Sequence, residues 1–210
     1  MEHKVGGMLP FAPILGDKRC PPEWTIPENQ DNRSDCTPIE DQEAWQACAA
    51  VAVSYGLESL TWRETHIRTQ YDWKAMYTRA KQIDGFPAQD GTMFHHALQA
   101  ARELGYCKAN IGEYISDSDL IKAYIHSNCG VCLAYGIDDG WYKTDIGWIT
   151  DGTRKLGGHG VWGCWYTNEG IGHQGSWGTK NGVNGFMRMT WSKHRLQLMY
   201  AYVMHKESIV

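Results

Sequence analysis

Two short stretches of this chain place reactive side chains where they could act. In the run Ala47 to Leu60, the residues Ala49, Ala50, Val51, Ala52, Val53, Tyr55, Leu57 and Leu60 leave almost no polar face. Such a run predicts a helix buried on nearly all sides. Cys48 falls at or near its first turn, among alanines small enough to let other backbone come close. A thiol at a helix N-terminus sits where unpaired N–H groups and the macrodipole favour the thiolate, which is the nucleophilic form. The plainer reading is that a free cysteine packs as a small hydrophobe. The second stretch is Gly157-Gly158-His159-Gly160-Val161, in which glycines on both sides give the histidine room to project from the start of an apolar strand into a cleft.

The other candidate groups read as structural. Seven cysteines (20, 36, 48, 107, 129, 132 and 164) are an odd number, so at least one thiol is unpaired and Cys48 is the natural candidate. Without an export signal, reduced thiols are the default for the rest. Cys129 and Cys132 form a C-x-x-C with His126 just before it, which raises zinc. A structural zinc site needs a second ligand pair at suitable spacing, and none follows nearby. No metal and no other cofactor is expected. His95 and His96 read as exposed helix positions.

These groups must be positioned by two unlike halves. Residues 1–37 are rich in Pro, Gly, Asn and Asp and read as an extended arm, with an edge strand near Trp24 to Ile26. Residues 38–128 read as a helical lobe. It holds the Cys48 helix, one or two short helices between Trp62 and Ile83, and a helix from Met93 to Leu104 with Gly105 as its stop. A further helix runs from Ser118, a plausible N-cap, to His126. Residues 129–210 read as a β lobe, with strands in VCLAYGI, GVWGCWY, near HQGSW, in GFMRMTW and in the final MYAYVMHK, separated by Gly, Asp and Asn clusters. The pattern predicts an α+β protein of two lobes with a cleft between them.

The wider setting of the two stretches resembles papain-like cysteine peptidases of the bacterial and viral type that lack a proregion. Asn32-Arg33-Ser34-Asp35-Cys36-Thr37-Pro38-Ile39-Glu40-Asp41-Gln42 resembles the approach to that family's nucleophile, with Gln42 six residues before Cys48. Gly157 to Val161 is similar to its Gly-Gly-His-Ala-Val. Ser176-Trp177-Gly178-Thr179, with Gly182, Gly185-Phe186 and Arg188, is similar to its Asn-Ser-Trp-Gly-Thr…Gly-x-x-Gly-Tyr/Phe-x-Arg. The resemblance implies a papain-like fold with an antiparallel β-barrel lobe. It also implies Cys48 as nucleophile, His159 as general base and acid, Gln42 as oxyanion donor, and Trp177 beside Ser176 as the shield of the histidine. The sequence departs from the family where its Cys-Gly-Ser-Cys-Trp reads Trp45-Gln46-Ala47-Cys48-Ala49, and where the asparagine that orients the histidine falls on Gly175. Gln174 could orient His159 if a β-bulge shifts the register; otherwise a backbone carbonyl, a water or His173 does so.

Composition narrows the function classes. A net charge of −4 without a run of Lys or Arg argues against nucleic acid or an anionic membrane as partner. No apolar segment is long enough for a membrane span, and the N-terminus carries no convincing signal peptide. The expected location is the cytoplasm or a virion. The leading expectation is a cysteine peptidase or related amidase acting on a peptide or protein, including peptide cross-links of a cell wall. The second is a papain-fold protein, weakened or inactive, with a structural or binding role such as in a viral particle, in which a protein assembly would hold the arm.

Overall fold

The computed structural model describes residues 19–205, so the first part of the arm and the end of the last expected strand lie outside the described residues. Helix α1 (Cys48–Thr65) is the expected central element, and every residue from Cys48 to Leu60 is buried. It runs five residues beyond that apolar stretch, so Trp62 closes α1 and does not open the next helix. His66 ends it in the left-handed conformation, donating its N–H to the Trp62 carbonyl. Helix α2 (Trp73–Ile83) starts at Asp72, whose side chain accepts from the N–H groups of Lys74 and Ala75. Helix α3 (Phe94–Glu103) buries Phe94, Ala97, Leu98, Ala100 and Ala101. Gly105 follows at φ 76°, a conformation that glycine adopts without a Cβ penalty. Both helices pack on α1, and together they enclose a core of alanines with Trp73, Met76, Phe94 and Leu98.

The strands are β1 (Gln30–Asp31), β2 (Gly112–Ile115), β3 (Val131–Asp138), β4 (Thr144–Asp145), β5 (Trp148–Ile149), β6 (Lys155–Tyr166), β7 (Gly170–Gln174), β8 (Phe186–Thr190) and β9 (Leu198–Met204). They form one sheet in the order β2-β9-β3-β6-β7-β8-β5-β4, with β1 added on β6. Every pairing is antiparallel except the single parallel contact of β5 with β8. Side chains alternate across a strand, and both faces of the central strands are covered. Cys132, Ala134, Trp162, Cys164, Tyr200 and Tyr202 join the core around α1. Val131, Leu133, Tyr135, Val161, Ala201 and Val203 join a second core on the opposite face. Burial on both faces is why these strands read as continuous apolar runs.

Several elements differ from expectation. Sheet pairing by the arm comes at Gln30–Asp31, opposite Tyr166 and Trp165, and not at Trp24 to Ile26. The Trp24 N–H instead closes a turn onto the Pro21 carbonyl. Strand β2 pairs with β9 although it precedes residue 129. Helix α4 (Ser118–Ser127), capped by Asp117 and not by Ser118, sends Leu120, Ile121 and Ile125 into the second core. The β-lobe core therefore recruits elements from before residue 129. A fifth helix, α5 (Trp191–Gln197), is capped by Thr190, takes Trp191 from the end of the expected strand GFMRMTW and fills the interval before the last one. Among the described residues no helix is long and apolar enough to cross a membrane.

Candidate active site

Cys48 is the first residue of α1 and is fully buried. Its Sγ accepts the N–H of Gly160 at 3.3 Å, which brings the His159–Gly160 peptide onto the thiol. Burial pushes the thiol up to about 12, against the opposing pull of backbone N–H groups of Gly160, Ala49 and Cys48 itself. The helix N-terminus therefore acts on this sulfur as the sequence suggests, and desolvation outweighs it.

His159 lies on β6 opposite Tyr135 of β3 and is also fully buried. Its ring stacks on Trp177, with centroids 4.3 Å apart and planes at 26°. The indole of Trp141 meets it nearly at right angles, at 5.7 Å and 84°. Tyr142, half-exposed in the same turn of 3₁₀ helix (Asp139–Tyr142), also stacks on Trp177 at 5.2 Å. Sequence reasoning found Trp177 and missed Trp141 and Tyr142. Their signal is weak, an aromatic pair behind Asp138-Asp139-Gly140 that reads only as a turn.

Trp141 is held by a polar chain. Its Nε1–H donates to Gln197 Oε1 at 2.9 Å. Gln197 Nε2 donates to Asp138 Oδ2 at 2.6 Å, and Lys193 Nζ donates to the same oxygen at 3.1 Å. The ring beside His159 is thereby anchored through α5 to a carboxylate at the end of β3.

Gln42 and Ser176 are brought together by a backbone lacing. The Gln42 N–H donates to the Ser176 carbonyl at 2.8 Å, the Gly178 N–H donates to the Glu40 carbonyl at 3.1 Å, and Asp41 bridges Trp177. Ser176 Oγ donates to Gln42 Oε1 at 2.5 Å, which fixes the amide so that Nε2 donates to the Trp45 carbonyl at 2.8 Å. Tyr55 of α1 ties both segments to the helix, accepting the Glu40 N–H and donating to the Gly175 carbonyl.

The expectation for Gln174 is corrected. Gln174 pairs with Trp162, and no register shift separates Trp162 from His159 on β6, so the two side chains lie on opposite faces of the sheet. The Gln174 amide instead donates to the Thr37 carbonyl at 2.8 Å and secures the arm. The bulge lies on β6 between Gly163 and Trp165. His173 shares the His159 face and stacks on Trp141 at 5.2 Å and 29°. Burial, then the neighbouring His194, pushes His173 down to about 3, which keeps it neutral. At Gly175 an added Cβ would meet Met187 Cε at 3.0 Å and the Gly185 carbonyl oxygen at 3.3 Å, so Met187 fills the entrance to the space an asparagine side chain would use.

The remaining candidates do not converge. Cys129 and Cys132 point their thiols at the α1 carbonyls of Ser59 and Ala52, while His126 Nδ1 bonds Gln30. Among the described residues no cluster of three or more His, Cys, Asp or Glu side chains is arranged to hold a metal. His95 and His96 are half-buried, not exposed, and Tyr114 of β2 bonds His95.

No protein-family model and no curated protein sequence matches the chain. Solved structures do. Xylellain, a cysteine protease from Xylella fastidiosa, superposes at a TM-score of 0.77 with 17% identity, covering 100% of this chain and 98% of that one. Procathepsin B S9 from Trypanosoma congolense gives 0.76 and 13%, covering 96% and 86%. A structure from work on the mite allergens Blo t 1 and Der p 1 gives 0.74 and 15%, covering 96% and 79%. At these identities the likeness is one of fold: the chain has the two-lobe α+β fold of papain-like cysteine proteases.

Proposed function

We propose that this chain is a cysteine peptidase that hydrolyses peptide bonds through Cys48 and His159. The observation that supports it best is the Gly160 N–H on Cys48 Sγ, which joins a helix-terminal thiol to the residue next to the stacked histidine across the lobe boundary. In the reaction the Cys48 thiol gives its proton to His159, and the thiolate attacks the substrate carbonyl carbon. The oxyanion is met by the Cys48 backbone N–H and by Gln42 Nε2, whose direction Ser176 sets. His159 then protonates the leaving amine, and as neutral imidazole it takes a proton from the water that releases the acyl group. With Gly175 in place of an orienting asparagine, the planes of Trp141 and Trp177 position the imidazole, and Trp177 keeps water from it.

The deep burial of Cys48 and its raised pKa favour a second reading, a papain-fold protein with a weakened or absent activity and a binding role. One measurement separates the two. The rate of Cys48 alkylation by a small thiol reagent is followed against pH by mass spectrometry, with His159→Ala as control. The peptidase reading expects fast reaction well below pH 7 that depends on His159. Reaction with the profile of an ordinary or buried thiol in both proteins would overturn it and leave the scaffold reading.

A further inference from the structure

Away from the candidate site, the structure brings two other cysteines into one corner of the core. Cys164 is fully buried on β6, and the half-buried Cys36 packs against the same core, its thiol donating to the carbonyl of Asn32 at 3.6 Å. The remaining thiols point elsewhere: Cys20 to Pro21, Cys107 to Ala109, Cys129 and Cys132 to α1 carbonyls, and Cys48 to Gly160.

Cys36 is placed by a clamped backbone. The Asn32 N–H donates to the carbonyl of Cys164 itself at 3.1 Å, directly after the β1–β6 pairing. From there the chain turns, with the Asp35 N–H on the Asn32 carbonyl and the Cys36 N–H on the Arg33 carbonyl. The Asn32 side chain donates to the carbonyls of Ile125 and Cys129. Arg63 holds Asn32 and Asp35, and Arg68 holds the carbonyls of Ser34, Asp35 and Cys36. A packing role alone would not require a partly exposed cysteine in a turn fastened by two arginines beside a buried one.

We propose that Cys36 and Cys164 form a redox site that closes to a disulfide, tying the arm just before Gln42 to the strand that carries His159. The oxidant is a small-molecule disulfide of the glutathione class. Cys36, the accessible partner, attacks one of its sulfurs as thiolate, forming a mixed disulfide and releasing one small thiol. Cys164 then attacks Cys36 Sγ, forming the Cys36–Cys164 bond, and its proton leaves with the second small thiol that is expelled. Two protein thiols are oxidised and one small disulfide is reduced. The loop closed from residue 36 to residue 164 contains all three helices of the first lobe, so the bond restricts the unfolded chain strongly.

The test equilibrates the whole protein in glutathione buffers of graded potential, traps free thiols, and maps disulfides by mass spectrometry after non-reducing digestion. A Cys48→Ala chain is run in parallel so that the candidate nucleophile does not complicate the map and the result does not depend on peptidase activity. The expected result is a Cys36–Cys164 cross-linked peptide in both proteins, and a Tm that rises on oxidation and returns with dithiothreitol. Cys36→Ser and Cys164→Ala should each remove the cross-link and the Tm response. Both thiols free across all potentials, or glutathione retained on Cys36 without a cross-link, would overturn the proposal.

Discussion

Cys48 and His159 sit in surroundings of opposite build. Around α1 the contacts are made by Ala47, Ala49, Ala50 and Ala52, so position is set by how close backbone can come. On the far face of the sheet the neighbours of His159 are Trp141, Trp177, Tyr135 and His173, and position is set by ring planes. The first core fails when something is added, the second when something is taken away. The difference teaches that ring planes can confine a buried imidazole, provided that the rings around it are themselves held.

The largest expected effect tests the ring-built side. Trp141→Ala removes a fully buried indole and strands Gln197, and should cost about 3–5 kcal/mol in urea unfolding. Equal stability in variant and wild type would show that the rings do not carry that core. Next comes the backbone-built side, where Ala50→Leu overpacks α1 and should cost roughly 1–3 kcal/mol by the same assay. A stabilised variant would mean that α1 has spare room and that the contrast between the cores is false.

The two cores should also answer pH with opposite signs. Glu58 of α1, bonded by Thr37 and the Tyr71 N–H, is pushed by burial from an ordinary 4.5 up to about 7. A raised carboxyl pKa means that the folded state binds more protons. Its contribution is full below about pH 4.5 and is lost as pH rises through about 7. His173 and His194 are pushed by burial from 6.5 down to about 3 and about 4. Depressed histidines favour the fold above pH 6.5, and that contribution is lost as pH falls through about 4 and then 3. Thermal melts should therefore show Glu58→Gln gaining on wild type at pH 8 and not at pH 4. For His173→Phe the gain should lie below pH 5 and be absent at pH 8. Parallel curves for all three proteins would refute both assignments. The smallest effect is expected for Ser176→Ala, which releases Gln42 Oε1 and should cost about 1 kcal/mol in stability. If the peptidase reading holds, kcat should fall more than KM rises, and equal changes in both would mean that Ser176 does not set Gln42 for the oxyanion.

What was legible in the sequence followed from residue type at short range. The run around Cys48 has no polar face, so α1 could be read directly, and glycines on either side of His159 marked it as a special position. Gln42, Ser176 and Trp177 are singled out by the resemblance to papain-like peptidases, and the lacing of residues 40–42 with 176–178 brings them together. The rest depends on register and on long-range packing. Whether Gln174 or His173 shares the His159 face is fixed by pairing across β6 and β7, which a single residue of slip would invert. Trp141 matters because α5 carries Gln197 back under it, and α5 is a seven-residue helix wedged between two strands. Nothing in the local sequence ties Trp141 to Gln197, which lies 56 positions away.

The lacing of residues 40–42 with 176–178 also orders events in time. Helix α1 is made early in synthesis and is built from local contacts, whereas Ser176 and Trp177 emerge from the ribosome more than a hundred residues later. Until they arrive, Gln42 has no hydroxyl to set its amide and His159 has no indole to lie on. If the peptidase reading holds, a nascent or truncated chain would thus carry the thiol without the means to use it, and the ribosome itself would serve as the safety catch.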